Sequence, residues 1–117
     1  MSATKVDLNF LHEDKCIQSA FNGVFEAVDL TDYFRRIMEE VPAGAGYREE
    51  VDFRPVSNFS ISYNDFSGFS SQAAQMYQSG RVSKTRFHVA NELQYGMARL
   101  FSSSTGVDEV HFEIIRD

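Results

Sequence analysis

Along the first half of the chain the hydrophobic period changes from two to three-and-four and back to two. This switching restricts the fold more than any other feature, because a strand repeats every second residue and a helix about every 3.6. In residues 4–11, Val6, Leu8 and Phe10 alternate with Asp7 and Asn9, the pattern of a half-buried strand. Ile17, Ala20, Phe21, Val24 and Val28 then recur at helical spacing. Asn22-Gly23 within that stretch is a hairpin signal, so residues 15–28 read either as a helix or as two strands. Asp29 reads as an N-cap with Asp32 in the first turn of the next helix. Leu30, Phe34, Ile37 and Val41 form its buried stripe, Arg35, Arg36, Glu39 and Glu40 its wet side, and Pro42, Gly44 and Gly46 stop it.

Period two returns in residues 47–54, where Val51 and Phe53 alternate with Asp52 and Arg54. It continues in residues 58–64, where Phe59, Ile61 and Tyr63 alternate with Ser60 and Ser62, and Pro55 marks the turn between them. Residues 70–78 predict a short helix ended by Gly80. A longer helix is predicted over residues 83–103, with Phe87, Ala90, Leu93, Met97, Leu100 and Phe101 on one stripe and Gly106 closing it. In residues 107–115, Val110, Phe112 and Ile114 alternate with Glu109, His111 and Glu113, predicting a final strand. The resulting β-α-β-β-α-β order predicts an α+β fold: a four-stranded antiparallel sheet with helices on one face, as in ferredoxin-like sandwiches. Its open face would carry Asp7, Asn9, Asp52, Arg54, Ser60, Ser62, Glu109, His111 and Glu113, polar enough to stay wet without a dimer partner.

A chain of 117 residues is expected to form one domain, with about 6,500 Å² of folded surface. With 11 Phe and 5 Tyr it has the material for a core. One cysteine, Cys16, allows no internal disulfide and points to a reducing compartment, where Cys16 serves as a small buried hydrophobe. No window has the length and apolarity of a membrane span, and the acidic start is unlike a secretory signal, so the expectation is a cytoplasmic protein. The net charge is −6, and residues 1–60 hold 11 of the 17 acidic side chains. Such a balance disfavours direct nucleic-acid binding and fits a protein steered toward a basic partner.

No catalytic constellation and no cofactor motif is present. His12, His88 and His111 are scattered; His111 shares a strand face with Glu109 and Glu113, and His88 and Glu92 are four apart, but neither set reaches a metal-ligand pattern. No serine lies in G-x-S-x-G or S-x-x-K, and no glycine-rich phosphate loop occurs. The carboxylates Glu39, Glu40, Glu49, Glu50 and Asp52 read as hydrated surface groups.

Two features stand above this background. Residues 66–80 carry no charge, and with the preceding aromatic strand they have the composition of an interface. Tyr63, Phe66, Phe69, Met76 and Tyr77 would be its partner-binding anchors, unless these rings complete the core. The second feature is Arg81, Lys84 and Arg86, placed before and within the first turn of the expected long helix. Cations there oppose the helix dipole, so they would be compensated by a bound anion or by the chain's own acids at Glu39, Glu40, Glu49 and Glu50.

The first functional expectation is therefore a non-enzymatic acidic protein-binding domain: an inhibitor, immunity or adaptor protein, or one subunit of a homo-oligomer. A second is a small-molecule binder or isomerase-like enzyme of the dimeric ferredoxin-like type. Its pocket would lie between sheet and helices, lined by Phe and Tyr, with His88 or His111 as acid or base. A third is a nucleic-acid mimic presenting the acids from Glu39 to Asp52 to a DNA- or RNA-binding protein.

Overall fold

β1 (Val6–Leu11) and β2 (Cys16–Phe21) begin the structure as an antiparallel pair, in register from Val6 opposite Phe21 to Leu11 opposite Cys16. A computed structural model describes residues 5–116; of the first predicted strand, only Thr4 lies outside the described residues. A single 3₁₀ turn at His12–Asp14 joins the two strands, and Lys15 closes it at φ 50°. The remaining pairs of the main sheet are parallel. β2 lies beside β4 (Tyr47–Asp52), β4 beside β6 (Val82–Val89), and β6 beside β7 (Phe112–Arg116), giving five strands in the order β1-β2-β4-β6-β7.

Parallel neighbours need a crossover, and each crossover here carries a helix. α1 (Ala27–Glu40) joins β2 to β4, α2 (Tyr63–Gln78) joins β4 to β6, and α3 (Glu92–Ser104) joins β6 to β7. β3 (Gly23–Glu26) and β5 (Val56–Ser60) leave the main sheet and pair with each other as a parallel ribbon. The α+β class is as expected, but the antiparallel ferredoxin-like sheet is replaced by a mixed and mostly parallel one. The error has a physical source. Parallel sheets are usually covered on both faces and read as continuous apolar runs. Here only one face is covered, so the strands alternate as antiparallel ones do.

Leu30, Tyr33, Phe34 and Ile37 of α1, Phe69 and Met76 of α2 and Ala98 of α3 join Ile17, Phe21, Val51, Phe53, Phe87 and Val89 in one core. The accessible surface of 6437 Å² agrees with the value expected for this chain length. Residues 15–28 do not form the expected helix; two strands occur there, but β2 and β3 enter different sheets instead of pairing as a hairpin, with Gly23 opening β3 at φ 76°. Ile17 and Phe21 are four apart, a spacing that suits one helical turn and two strand repeats equally. Asp29 is the third residue of α1 rather than its cap; its carboxylate accepts the Glu26 N–H at 2.8 Å and pairs with Lys5 at 3.3 Å.

The predicted strand over residues 58–64 ends at Ser60. Tyr63 already belongs to α2, whose cap Ser62 accepts the Asp65 N–H at 3.1 Å. α2 ends on Gly80 (φ 72°), where a Cβ would come within 3.0 Å of the Gly44 Cα, so both conformation and space demand glycine. The long helix predicted from residue 83 is a strand followed by a helix. Val82, Thr85, Phe87 and Val89 are buried in β6, Asn91 caps α3, and Gln94 and Ala98 are its buried residues, whereas Leu93 and Leu100 are half exposed. The last strand starts only at Phe112; Glu109–His111 is a 3₁₀ turn, and Val110, expected inside, is 73% exposed.

Candidate functional site

Glu49 occupies the centre of β4 and points toward the helices, in phase with the buried Tyr47 and Val51. An acid at an inward position of a central strand must find donors or lose its charge. Tyr33 of α1 donates its hydroxyl to Oε2 in a short hydrogen bond, and Thr85, the register partner of Glu49 on β6, donates to Oε1 at 2.6 Å. The Tyr77 hydroxyl of α2 bonds the Thr85 hydroxyl and lies 3.5 Å from the His111 carbonyl oxygen. Burial pushes the Glu49 carboxyl above the usual carboxylate range, partly offset by the Thr85 and Tyr33 bonds. Burial also raises the Tyr33 and Tyr77 phenols, each further by the nearby Glu49, so both remain hydrogen-bond donors.

The hydroxyl chain can hydrogen-bond Glu49 in either protonation state. With the carboxylate ionised, Tyr77 donates to Thr85 and Thr85 to Oε1. With the acid protonated at Oε1, the order reverses: Glu49 donates to Thr85, Thr85 to Tyr77, and Tyr77 to the His111 carbonyl. Tyr33 donates to Oε2 in both cases.

Glu49 lines a cavity of about 60 Å³ between helices and sheet, and nine of its sixteen lining residues are Phe or Tyr. The volume corresponds to roughly four to six water-sized positions. A larger outer groove of about 800 Å³ runs between α2 and α3, lined by Tyr63, Phe66, Met97 and Leu100 among others. Ser70 and Thr105 line both spaces. At that shared wall the Ser70 and Ser104 hydroxyls are 2.6 Å apart and link α2 to α3.

The structure divides the five expected partner-binding residues. Tyr63 is 85% exposed and Phe66 lines the groove, its ring 4.9 Å from that of Phe101. Phe69 and Met76 are core residues, and Tyr77 belongs to the Glu49 chain. The three expected anion-binding cations are not at a helix N-terminus. Arg81 Nε donates to the Val41 carbonyl at 3.0 Å, at the C-terminal end of α1, where a cation is favourable. Lys84 and Arg86 lie on β6 and face Glu113, each at 3.4 Å, and Arg86 also faces Glu50 at 3.6 Å. Lys84 and Arg86 thus face acids of the chain itself, and of the four acids named from the sequence only Glu50 is among them.

These pairs belong to a charged lattice on the open face of the sheet. His88 Nε2 lies 2.9 Å from Glu50, and Arg54 holds Asp52 at 2.9 Å. Burial alone would raise Asp52, but the Arg54 hydrogen bonds and charge outweigh it and lower its pKa. Of the open-face residues predicted from sequence, Asp7, Asn9, Asp52 and Arg54 line one shallow concavity there. Ser60 belongs to the β3–β5 ribbon, Ser62 caps α2, and Glu109 and His111 form the 3₁₀ turn before β7. His88 faces Glu50, and Glu92 pairs with Arg116 at 2.9 Å. His12 Nδ1 is 2.6 Å from the Tyr47 hydroxyl and Nε2 is 3.4 Å from Glu40, so each histidine is engaged separately. Among the described residues no cluster could hold a metal ion. Cys16 is buried, in β2 instead of a helix, and burial raises its thiol pKa. The acids from Glu39 to Asp52 do not form one surface: Glu39 pairs with Arg35, Asp52 with Arg54, and Glu49 is inside.

The sequence reading missed Glu49 and Tyr33. The signal was there: Glu49 falls on the same alternation as Val51 and Phe53, so it is the one acid of its cluster at an inward position.

No protein-family model matches the chain, and no curated protein matches it. Among solved structures it is similar to an uncharacterised protein of the DUF3478 family with a SpoIIAA-like fold, from Shewanella loihica PV-4. The TM-score is 0.60 at 10% identity, over 100% of this chain and 92% of the other. No helix among the described residues is long and apolar enough to cross a membrane. At that identity the likeness is one of fold, and the architecture it supports is an α+β arrangement of a mixed sheet with three helices.

Proposed function

We propose that the protein binds a small, mostly apolar molecule in the cavity between helices and sheet. One observation carries this reading: an aromatic-walled space holds a single buried acid, Glu49, with one hydroxyl partner on each carboxyl oxygen. An apolar cavity with few convergent polar groups and a perturbed acid is the usual form of a small-ligand site. The second expectation drawn from the sequence placed a Phe- and Tyr-lined pocket in this location. It gave His88 or His111 as acid or base; neither lines the cavity, His88 being on the other face of the sheet and His111 in the turn before β7. A ligand would enter between α2 and α3, where parting of the Ser70–Ser104 bond joins the outer groove to the cavity.

The test is titration of isotope-labelled protein with isobutanol, followed by amide NMR. Saturable shifts are expected at Val51, Ala73, Thr85 and Phe87, all lining the cavity. They should vanish in Ala73→Leu, which puts three carbon atoms into the space. Absence of cavity shifts, or identical shifts in the variant, would refute the reading.

A second reading, docking of another protein, is favoured by the exposed ring of Tyr63 at the rim of the outer groove. It retains the first expectation from the sequence, with two of the five anchors. Tyr63→Ala with Leu100→Ser should abolish any self-association seen by light scattering, or capture of a partner, without loss of melting temperature. Unchanged association would remove this surface from consideration.

A further inference from the structure

We infer that the molecule taken into the cavity carries a protonated amine, held by the Glu49 carboxylate; this rests on the cavity being a binding site. Buried acids are normally paired with a cation, and a lone one is costly. Among the described residues no Lys, Arg or His nitrogen lies within 4 Å of the Glu49 carboxylate, although the acids of the open face have such partners. The two hydroxyl donors, Tyr33 and Thr85, occupy one acceptor position on each oxygen, and a carboxylate offers about four. Two acceptor positions therefore remain for a ligand.

The walls agree with a cationic ligand. Phe21, Tyr33, Phe34, Phe53 and Phe87 all line the space, and ring faces attract an ammonium group once water is excluded. A carboxylic acid ligand would meet the Glu49 charge with no cation to offset it. A neutral alcohol would gain a hydrogen bond but no charge pairing. The cavity volume of about 60 Å³ suits a compact skeleton of about five non-hydrogen atoms, such as a branched four-carbon amine.

The hydroxyl donors stay on the carboxylate while it holds the ligand. As the ammonium ion enters, it pairs with the ionised Glu49 carboxylate. Thr85 and Tyr77 donate toward Oε1. The ammonium–carboxylate pair carries no net charge.

Isobutylamine, isobutanol and isobutyrate share one carbon skeleton and differ in charge near neutral pH, so they are the probes. Isobutylammonium is expected to bind wild-type protein about ten-fold more tightly than isobutanol, and isobutyrate not to reach the cavity. In Glu49→Gln the amine should weaken about ten-fold while isobutanol stays within about two-fold. If isobutanol binds the wild type as tightly as the amine, the ammonium assignment is overturned and the cavity reading stands. If none of the three probes shifts the cavity residues, both fall. The wild-type comparison decides the matter even where Glu49→Gln fails to fold.

Discussion

Removal of a single oxygen, in Tyr33→Phe, tests whether Glu49 is held as described. The ring keeps its place, with its centroid 5.5 Å from that of Phe21 and 5.6 Å from that of Phe34, so packing changes little. What disappears is the donor to Oε2, the one bond that Glu49 makes to a helix. An unsatisfied buried acceptor costs about 1–3 kcal/mol, and more when it is charged. The loss should therefore depend on pH. Burial already holds the Glu49 carboxyl above its ordinary value of 4.5, and losing a donor raises it further. A group with a raised folded-state value binds more protons in the folded than in the unfolded chain. The stability this provides is present below the unfolded value and is lost as pH rises through the folded one. In urea, with a slope of about 2 kcal/mol per molar, a loss of about 2 kcal/mol lowers the midpoint by about 1 M. The loss should be larger at about pH 8 than at about pH 5. A variant as stable as wild type, or one destabilised more at the lower pH, would refute the account of Glu49.

Two further perturbations bear on the frame that holds the cavity. Gln94 is 1% exposed; its side chain accepts the Ala90 N–H at 2.7 Å and donates to the Arg54 and Val56 carbonyls at 3.3 and 3.1 Å. Gln94→Leu orphans all three and should cost about 3 kcal/mol or more by urea unfolding, whereas a loss under about 1 kcal/mol would show that the backbone finds other partners. Phe69, 7% exposed, contacts the α1 ring of Phe34 at 6.5 Å. Phe69→Asp should abolish the native circular dichroism and NMR dispersion, because ring loss and an unpaired buried charge together cost about 5 kcal/mol or more. A folded Asp variant would return Phe69 to the surface, the interface alternative that the sequence left open beside the core one.

The amino-acid sequence by itself determined the α+β class, the buried stripe of α1, the stops at Pro42 and Gly80, and the burial of Cys16. These follow from local chemistry: side-chain period, the missing proline donor and glycine at positive φ. It also held an aromatic excess that demanded a place, and that excess became the walls of the cavity. The tertiary structure decided the rest. Whether residues 17–21 paired as a strand depended on β1 and β4 lying on either side, since their spacing suited helix and strand alike. Phe87, Ala90 and Leu93 fit a helical stripe only because a strand ran straight into a helix, and the capping of α3 by Asn91 settled the boundary. Glu49 and Thr85 are 36 residues apart and meet through strand register, while Tyr33 and Tyr77 arrive from two different helices. Such a site depends on contacts between distant segments, and local pattern carries no record of which segments become neighbours.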